Sequence, residues 1–326
     1  MKRRNLILAA TLAPVFCATA ALALVATTTG LSVRVAAEQV ARIAAAQVGA
    51  VVYSEDLAQA RSLAQQRGQT STQSNTPVFV PERSDAPHLQ DLRKHYDLDA
   101  VIAQATSEYD AQLKLAAWVG TRFEHGTDEV PGGRQVCDPV AVFQAGQNGA
   151  RFWCEIAAYS MIHAASAVGW PARMITASTD GHTWEHAVAE LWSTQHKKWF
   201  VVDTDFNVVF EYHGVPLSAW ELVHDAPQVK QSGQLTVRRF AKFKEGLTPQ
   251  DLLRLFAYTH VDYRTDWCTR PLRKASPAGG DLNTRWTSRS GHAPKLTPIA
   301  RASTRAEFEQ AVELNALTKK SASPQN

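Results

Sequence analysis

Three residues whose types could act together in nucleophilic catalysis follow one another along the middle of the chain: Cys154, His186 and Asp203. A cysteine supplies the nucleophile, a histidine can take its proton, and a carboxylate can orient the imidazole. The cysteine needs this help to attack an amide at neutral pH, because most of a free thiol is protonated. Since these residue types are common, the sequence around each of them decides whether they can form one site.

The sequence around Cys154 predicts a buried helix that begins near this residue. From Cys154 to Val168 there is no glycine or proline, and alanine and other apolar residues leave little room for a polar face. Gly169 and Pro171 end the segment, and a loop that includes Gly149 precedes it. Cys154 is therefore expected in the first turn, where unpaired backbone N–H groups favour a thiolate and can hold an oxyanion.

Three strands are predicted after this helix, over residues 170–177, 185–192 and 197–203. The polar break Ser193–His196 separates the last two strands, and a four-residue hairpin loop there pairs Trp192 with Lys197. Counting along both strands from this pair places His186 opposite Asp203. Directly opposed residues have Cβ atoms about 4.5–5.5 Å apart, which lets a carboxylate hold an imidazole. A slip of one residue would move one of the two side chains to the other face, so the register is a direct test.

From about Leu113 to Asp225 the sequence resembles the transglutaminase-like domain, which belongs to the papain-like cysteine enzymes. The matching segments are LKLAAWVGTRFEHG, CDPVAVFQAGQNGARFWCE, GWPARMI, EHAVAELW, WFVVDTDFN and YHGVPLSAWEL. The resemblance implies that Cys154 is the nucleophile, His186 the base and Asp203 the orienting acid. It also implies an α+β fold, a papain-like or transglutaminase-like core in which the nucleophile helix packs on an antiparallel sheet. We expect neither a cofactor nor a metal in such a site.

The residues that would complete this site are less well marked. Where the family commonly has a small residue just before the nucleophile, this chain has Trp153. No side chain can be assigned as an oxyanion donor. Gln144, Gln147 and Asn148 are candidates only because they are close to the cysteine in sequence.

Two other interpretations of these residues stay open at the level of sequence. A cysteine at the start of a helix is most often a small buried apolar residue without a catalytic role. If the segment HTWEHAVAE were helical, His182, His186 and Glu190 would lie on one face at a spacing of four and could bind a metal ion. The preceding Asp180–Gly181 turn and the aromatic residues at the ends of the segment favour a strand instead.

The chemistry that these residues predict is acyl transfer through a thioester. The Cys154 thiolate would attack a carboxamide or peptide carbonyl, and His186 would return the proton to the leaving amine. Water would then give hydrolysis and an amine would give cross-linking; we favour hydrolysis because water is always present. The alternative from another class is a non-catalytic module that keeps the fold in order to bind peptide or cell-wall polymer.

Charge and motif content exclude several other classes of function. Lys2, Arg3 and Arg4 account for the whole net charge of +3, so the rest of the chain lacks the basic excess typical of nucleic-acid binding. We see no phosphate-binding, dinucleotide-binding or zinc-knuckle pattern and no internal repeat. The expected partner is therefore a peptide, protein or cell-envelope amide substrate, with no nucleic acid.

The amino terminus predicts export. Lys2-Arg3-Arg4 precedes the uncharged run Asn5–Ser32, whose apolar core reaches the roughly 20 residues that span a bilayer. The positive end should stay in the cytoplasm, so the rest of the chain is expected outside it. The run is either an uncleaved anchor in the cytoplasmic membrane, which its length favours, or a signal peptide cleaved near Ala20 or Ala23 that leaves a secreted protein.

Composition and turn signals divide the chain into four parts: residues 1–32, the anchor or signal peptide; 33–87, a helical and linker segment; 88–225, the catalytic domain; and 226–326, a C-terminal extension. No chemistry stands out in the extension. A helix over LLRLFAYTH is predicted there after Pro249, and residues 269–297 are expected to be irregular.

Capping residues predict where other helices begin. The capping pairs are Ser107 with Asp110, Ser218 with Glu221, and Thr304 with Glu307, and Asp138–Pro139 opens a further short helix.

Three cysteines follow the leader: Cys137, Cys154 and Cys268. If Cys154 is the nucleophile, the other two are the only pair left for a disulfide, which an exported protein can form. Both could equally be reduced and buried, so the sequence leaves these alternatives open.

Overall fold

The structure is a computed structural model that describes residues 79–133, 136–226, 230, 232–242, 249–269, 284–290 and 300–309. The predicted membrane segment, residues 1–32, and nearly all of the predicted linker lie outside these ranges. In the part of the chain that the structure describes, no helix is both long and apolar enough to cross a membrane. The fold described below belongs to one compact unit, residues 70–211 and 216–326, whereas Tyr212–Val215 belong to a second unit.

The helices of the described residues are mostly short. They are α1 (Pro87–His95), α2 (Leu98–Ile102), α3 (Glu108–Gly120), α4 (Pro139–Gln147), α5 (Cys154–Ala167), α6 (Ala219–His224), α7 (Pro249–Leu255) and α8 (Arg305–Glu309).

The strands are β1 (Glu124–His125), β2 (Arg151–Phe152), β3 (Ala172–Ser178), β4 (His186–Ser193), β5 (Lys198–Asp203), β6 (Val208–Tyr212), β7 (Val215–Pro216), β8 (Leu235–Arg239), β9 (Tyr258–Asp262), β10 (Thr284–Ser288) and β11 (Ala300–Arg301). The large sheet has the order β11-β10-β9-β3-β4-β5-β6, and β8 also pairs with β6. Neighbouring strands from β10 through β9, β3, β4 and β5 to β6 pair antiparallel. Strands β10 and β11 pair parallel. Strands β1 and β2 form a separate parallel pair. This combination of helices with a mainly antiparallel sheet agrees with the predicted α+β class.

Helix α5 is the buried helix that the sequence predicts, and it begins at Cys154. It packs on β3 and β4 and against α1 and α3. Eleven of its residues are buried, among them five alanines, whose small side chains let helix and sheet approach closely. Gly169 follows with φ +89°, a left-handed conformation that suits glycine after a helix end. Burial of the middle and the C-terminal part of this helix fixes the position of the half-buried cysteine at its start.

The hairpin between β4 and β5 has a register different from the predicted one. Ser193 pairs with Lys198, so the loop is Thr194–Lys197 instead of Ser193–His196. Lys197 has a left-handed backbone, φ 53°, which a lysine does not signal in a sequence. Lys197 therefore belongs to the loop, and the observed register differs from the predicted one by two residues.

This correction separates His186 from Asp203 along the ladder but keeps them close. Continued past its last observed pair, the register would place Asp203 opposite Val188 instead of His186. Because side chains alternate with a period of two, His186 keeps the same side and becomes a diagonal neighbour at about 7–8 Å, with the two Cβ atoms somewhat closer. An imidazole and a carboxylate are long enough to meet across that separation.

The predicted helix starts are confirmed where the structure describes them. Ser218 and Glu221 form a complete capping box at α6. The Ser107 hydroxyl accepts from the Asp110 N–H at α3, at 3.1 Å. The remaining predicted caps, at α4 and α8, also accept backbone N–H groups: Asp138 from Ala141 and Thr304 from Glu307.

The C-terminal extension contains more sheet than the sequence predicts. The helix after Pro249 ends at Leu255, and Tyr258–Asp262 is a strand, so the predicted helix over LLRLFAYTH is wrong in its second half. Thr284–Ser288, inside the stretch expected to be irregular, is also a strand. The physical reason is long-range pairing: β9 covers the free edge of β3, and β10 covers the edge of β9.

A disulfide joins Cys137 to Cys268, across a sequence separation of 131 residues. It ties the residue just before the α4 cap to the segment that follows β9. The alternative of two reduced, buried cysteines is therefore wrong, and Cys154 is the free cysteine of the described residues.

Candidate active site

The first residue of β4, His186, lies between a carboxylate and a thiol. Its Nε2 is 2.8 Å from Asp203 Oδ2, and the side chains of the pair are 4% and 1% exposed. One ring nitrogen of His186 also lies within 4.8 Å of the Cys154 sulfur, and the interaction with Cys154 raises the pKa of the imidazole. Because Nε2 is committed to Asp203, Nδ1 is the nitrogen left to face the sulfur. The structure thus brings together all three predicted side chains.

Cys154 is held at the mouth of this site by the elements before and after it. The parallel pair of β1 and β2 fixes Arg151–Phe152, two residues ahead of the cysteine. Trp153 is the N-cap of α5, where its carbonyl accepts from the Ile156 N–H at 3.0 Å. Cys154 is half-buried, whereas the Trp153 side chain is 43% exposed. The thiol therefore lies in the first turn of a helix, next to solvent, where N–H groups have no acceptor within the helix itself.

A tight turn after β5 fixes the carboxylate of Asp203. Its Oδ1 accepts the N–H groups of Asp205, at 3.0 Å, and Phe206, at 2.9 Å. The Thr204 hydroxyl in the same turn donates to the Ala157 carbonyl on α5, at 3.0 Å. These bonds leave Oδ2 directed to the imidazole, and they tie the turn to the helix that carries the cysteine.

The same turn continues through Phe206 and Asn207. The Phe206 ring meets the His186 ring edge-on, with centroids 5.4 Å apart, so the imidazole has an apolar neighbour as well as charged ones. Asn207 has φ 61°, and a Cβ added at Gly120 would lie 1.8 Å from its Oδ1. Because Gly120 has no side chain, the turn that contains Asn207 can approach the end of α3 closely.

The electrostatics of the site favour a charged imidazole. Burial alone lowers the pKa of His186, but the Asp203 carboxylate and then Cys154 raise it, and the net pKa is well above 6.5. An imidazolium at neutral pH is the partner that a thiolate requires. The arrangement can therefore hold a thiolate–imidazolium pair that is oriented by a buried carboxylate.

Two residues of the site were not singled out by the sequence. Asp205 is 1% exposed, and one of its oxygens, the Cys154 sulfur and a His186 ring nitrogen all lie within 4.8 Å of one another. Its Oδ2 is 2.9 Å from Nδ1 of His125, which is 53% exposed on β1. Asp205 follows Asp203 by two residues in DTDFN, a signal that could have suggested it, whereas nothing local to His125 points to the site.

The alternative metal site of His182, His186 and Glu190 is wrong. The segment is a strand from His186 to Ser193, and His182 is exposed in the preceding loop. Glu190 is fully buried and bound to Arg173, with Oε2 at 2.9 Å from Nε and 2.6 Å from Nη2. The three residues therefore share no helical face.

The side chains considered for the oxyanion lie at the end of α4. Gln144, Gln147 and Asn148 are all exposed, and Gln144 Nε2 is 3.4 Å from His95 Nε2. A cavity of about 790 Å³ lies between α1 and the start of α4, lined by residues that include Asp91, Lys94 and the disulfide-bonded Cys137. Cys154 is not among its lining residues, so we place the candidate site by its chemistry and not by cavity size.

The family model described as the transglutaminase-like superfamily matches residues 97–204. Among solved structures, the chain is similar to a protein of Cytophaga hutchinsonii that is provisionally described as a cysteine protease, with 17% sequence identity and a TM-score of 0.29. That similarity covers 41% of this chain and 43% of the other, so the chain spans less than half the length of this relative. None of the curated proteins compared with the sequence matches it.

Proposed function

We propose that this chain, whose residues 97–204 match the model of the transglutaminase-like superfamily, is an exported thiol enzyme that cleaves or transfers amide acyl groups. The observation that carries the proposal is the position of His186, whose Nε2 is bound to Asp203 and which has a ring nitrogen within 4.8 Å of the Cys154 sulfur. A nucleophile, a base and an orienting acid in contact are the components of acyl transfer through a thioester.

In the first half of the reaction, the Cys154 thiolate attacks the carbonyl carbon of a carboxamide or peptide. A new C–S bond forms and the carbonyl π electrons move to the oxygen, where N–H groups of the first turn of α5 can stabilise the charge. His186 then donates its Nδ1 proton to the amine nitrogen as the C–N bond breaks. A thioester and a free amine result.

In the second half, neutral His186 accepts a proton from water, and the resulting hydroxide equivalent attacks the thioester. The C–S bond breaks, the thiolate is restored and the imidazole is again charged. A primary amine in place of water gives transfer instead of hydrolysis. We favour hydrolysis, because water is always available at a half-buried thiol.

We propose that the enzyme acts outside the cytoplasm, tethered to the cytoplasmic membrane by Asn5–Ser32. The basic leader and the long uncharged run support this location. The Cys137–Cys268 disulfide supports it independently, since structural disulfides form and persist in oxidising compartments. A peptide, protein or cell-envelope amide is the substrate class that fits both the chemistry and the location.

The test is turnover of defined amides by the purified chain. Peptides with backbone and side-chain amides and peptide fragments of the cell envelope are incubated with the protein, with and without a labelled primary amine. Mass spectrometry should find new carboxylates or, with amine, labelled amides. Cys154→Ala should abolish both products, whereas His182→Gln, an exposed change in the neighbouring loop, should leave them unchanged.

The same experiment separates the enzyme from a binding module. Peptides that bind tightly to the wild-type protein but give no product at any pH would contradict the enzyme. Binding that is equal in wild type and Cys154→Ala would then favour the non-catalytic module.

A further inference from the structure

Asp205 adds a third ligand-type side chain to the thiol and the imidazole. We propose that Cys154, His186 and Asp205 form a binding site for zinc or a similar borderline-soft divalent cation, and that a bound cation blocks the nucleophile. The binding itself does not depend on the proposed function; only its inhibitory effect does.

The donor set and its geometry carry the proposal. Thiolate, imidazole and carboxylate are the three side-chain types that bind zinc, at about 2.0–2.3 Å. Tetrahedral bonds of that length separate the donor atoms by roughly 3.3–3.8 Å. The three donor atoms here already lie within 4.8 Å of one another. Adjustments of about 1 Å, within reach of side-chain torsions, would close them on one ion.

Two of the three proposed ligands, His186 and Asp205, already have a second side chain that binds and orients them, as the ligands of metal sites do. Asp203 binds Nε2 of His186, which leaves Nδ1 for a cation. His125 Nδ1 lies 2.9 Å from Asp205 Oδ2 and fixes the orientation of that carboxylate. Such outer partners align the ligands before the ion arrives, and their loss typically weakens metal affinity by about 10- to 100-fold.

The site is open on one side. Cys154 is half-buried, Trp153 beside it is 43% exposed, and the His125 side chain is 53% exposed. An ion can therefore enter from solvent and keep water as its fourth ligand, as in zinc sites with three protein ligands. The charges of the site also favour binding of the ion, because a thiolate and a carboxylate at this separation are both attracted to a divalent cation.

Binding of the ion would remove both catalytic functions at once. The thiolate electron pair would be shared with the metal, and Nδ1 would have to lose its proton to become a ligand. One proton is therefore released for each ion bound. With nucleophile and proton donor both occupied, acyl transfer should stop until the ion is removed.

The direct test measures zinc binding and thiol protection on the full chain, without any substrate. Competition with a chromophoric chelator should give one Zn²⁺ per chain, and Zn²⁺ should slow alkylation of Cys154, with recovery after EDTA. Co²⁺ should give a thiolate-to-cobalt charge-transfer band that is absent in Cys154→Ser. Calorimetry in two buffers of different ionisation enthalpy should find one proton released.

Variants of the ligand and of its outer partner assign the site. Asp205→Asn should weaken Zn²⁺ binding by about 10- to 100-fold or more, and the milder His125→Gln, at an exposed residue, should weaken it by about 10-fold. His182→Gln, a nearby exposed histidine, should have no effect. Equal Zn²⁺ affinity in wild type, Asp205→Asn and His125→Gln, or alkylation of Cys154 that saturating Zn²⁺ leaves unchanged, would overturn the proposal.

The outcomes also separate this inference from the proposed function. Zinc bound at Cys154 in a chain that turns over no amide would support the metal site and contradict the enzyme. Turnover that Zn²⁺ increases, instead of stopping, would support the enzyme and overturn the inhibitory role.

Discussion

Strand β4 carries one residue of each of two buried charged pairs: His186 at its start pairs with Asp203 on β5, and Glu190 further along pairs with Arg173 on β3. Both pairs are nearly or fully buried: 4% and 1% exposed in the first, 0% in both residues of the second. They differ in what else the side chains touch. His186 also lies near a half-buried thiol, with a ring nitrogen within 4.8 Å of the Cys154 sulfur, whereas Arg173 and Glu190 bind residues of the structural core.

The partners of the Arg173–Glu190 pair explain its structural character. Glu190 Oε1 accepts the Ala219 N–H at the start of α6, at 2.6 Å. Arg173 Nη1 donates to the Glu309 carbonyl on α8, at 2.7 Å, and its guanidinium stacks over Trp199 at 4.1 Å. These contacts use both ions to join β3, β4, α6 and α8. Burial raises the pKa of Glu190 and Arg173 opposes the shift, so the ionised state of the buried carboxylate depends on its partner Arg173.

Burial of a charged pair does not by itself identify a functional site. His186 and Asp203 differ from the second pair in position: they lie at the end of a strand, beside the N-terminus of a helix, with one ring nitrogen left for a reacting group. We therefore expect changes at His186 and Asp203 to act on activity, and changes at Arg173 and Glu190 to act on stability.

Asp203→Asn should reduce amide turnover by about 10²- to 10⁴-fold, because the imidazole loses the anion that orients and charges it. The pH profile gives a second readout. Asp203 raises the pKa of His186, so the imidazolium and its stabilising effect are present at low pH and are lost as pH rises through the raised pKa. Without Asp203, the alkaline limb of turnover should move to lower pH. If the alkaline limb of turnover is unchanged in folded Asp203→Asn, Asp203 does not raise the pKa of His186 and its role as the orienting acid is wrong.

Glu190→Gln should have the opposite signature, a large loss of stability with little change in turnover by the folded protein. Removing the anion leaves Arg173 buried without a countercharge, which costs about 3–5 kcal/mol of unfolding free energy. Denaturant unfolding measures the loss, and turnover well below the unfolding midpoint measures the activity. A variant as stable as wild type, but inactive, would reverse the comparison.

The double variant Cys137→Ser with Cys268→Ser should lower the unfolding free energy by about 2–5 kcal/mol, since the bridge closes a long loop. Turnover at low temperature should persist, because the disulfide lies outside the group formed by Cys154, His186 and Asp203. Mass mapping without reduction provides the control. If both thiols of the wild-type protein alkylate without reductant, the bridge and the stability argument are both wrong.

A smaller effect is expected at the helix caps. Ser218→Ala removes the hydroxyl half of a capping box at a fully buried residue, together with a hydrogen bond from that hydroxyl to Glu309, and it should cost about 1–2 kcal/mol of unfolding free energy. Ser107→Ala is the matched variant at an exposed cap with a single bond, and about 0.5–1 kcal/mol is expected there. Equal costs would mean that neither burial of the Ser218 hydroxyl nor its bond to Glu309 adds to the stability.

Local signals predicted the part of the site that depends on local structure. The start of α5 at Cys154 follows from an uninterrupted apolar segment with a clear end, and the capping pairs follow from residues three positions apart. The hairpin register could not be obtained this way, because it depends on the left-handed backbone of Lys197. The prediction that His186 and Asp203 meet is still correct, because an error of two residues keeps both side chains on the same face of the sheet.

The remaining parts depend on contacts between distant segments. His125 reaches the site through the pairing of β1 with β2, and its contact partner Asp205 is 80 residues away in sequence. The strands of the C-terminal extension form because β3 offers an edge, a fact absent from the sequence of β9 itself. The fold class and three site residues could therefore be predicted from the sequence, whereas the pair of His125 and Asp205 could not.

The central claim is that His186 and Asp203 activate Cys154, and brief alkylation of the native, metal-free protein tests it most directly. The fraction of labelled Cys154 is measured by mass spectrometry in wild type, His186→Gln and Asp203→Asn, with His182→Gln as the matched control. The account predicts rapid labelling in wild type and His182→Gln, and labelling slower by at least about 10-fold in the other two, because a thiolate needs a charged partner. Labelling only after unfolding, or at equal rates in all four proteins, would contradict it and leave Cys154 as a packing residue.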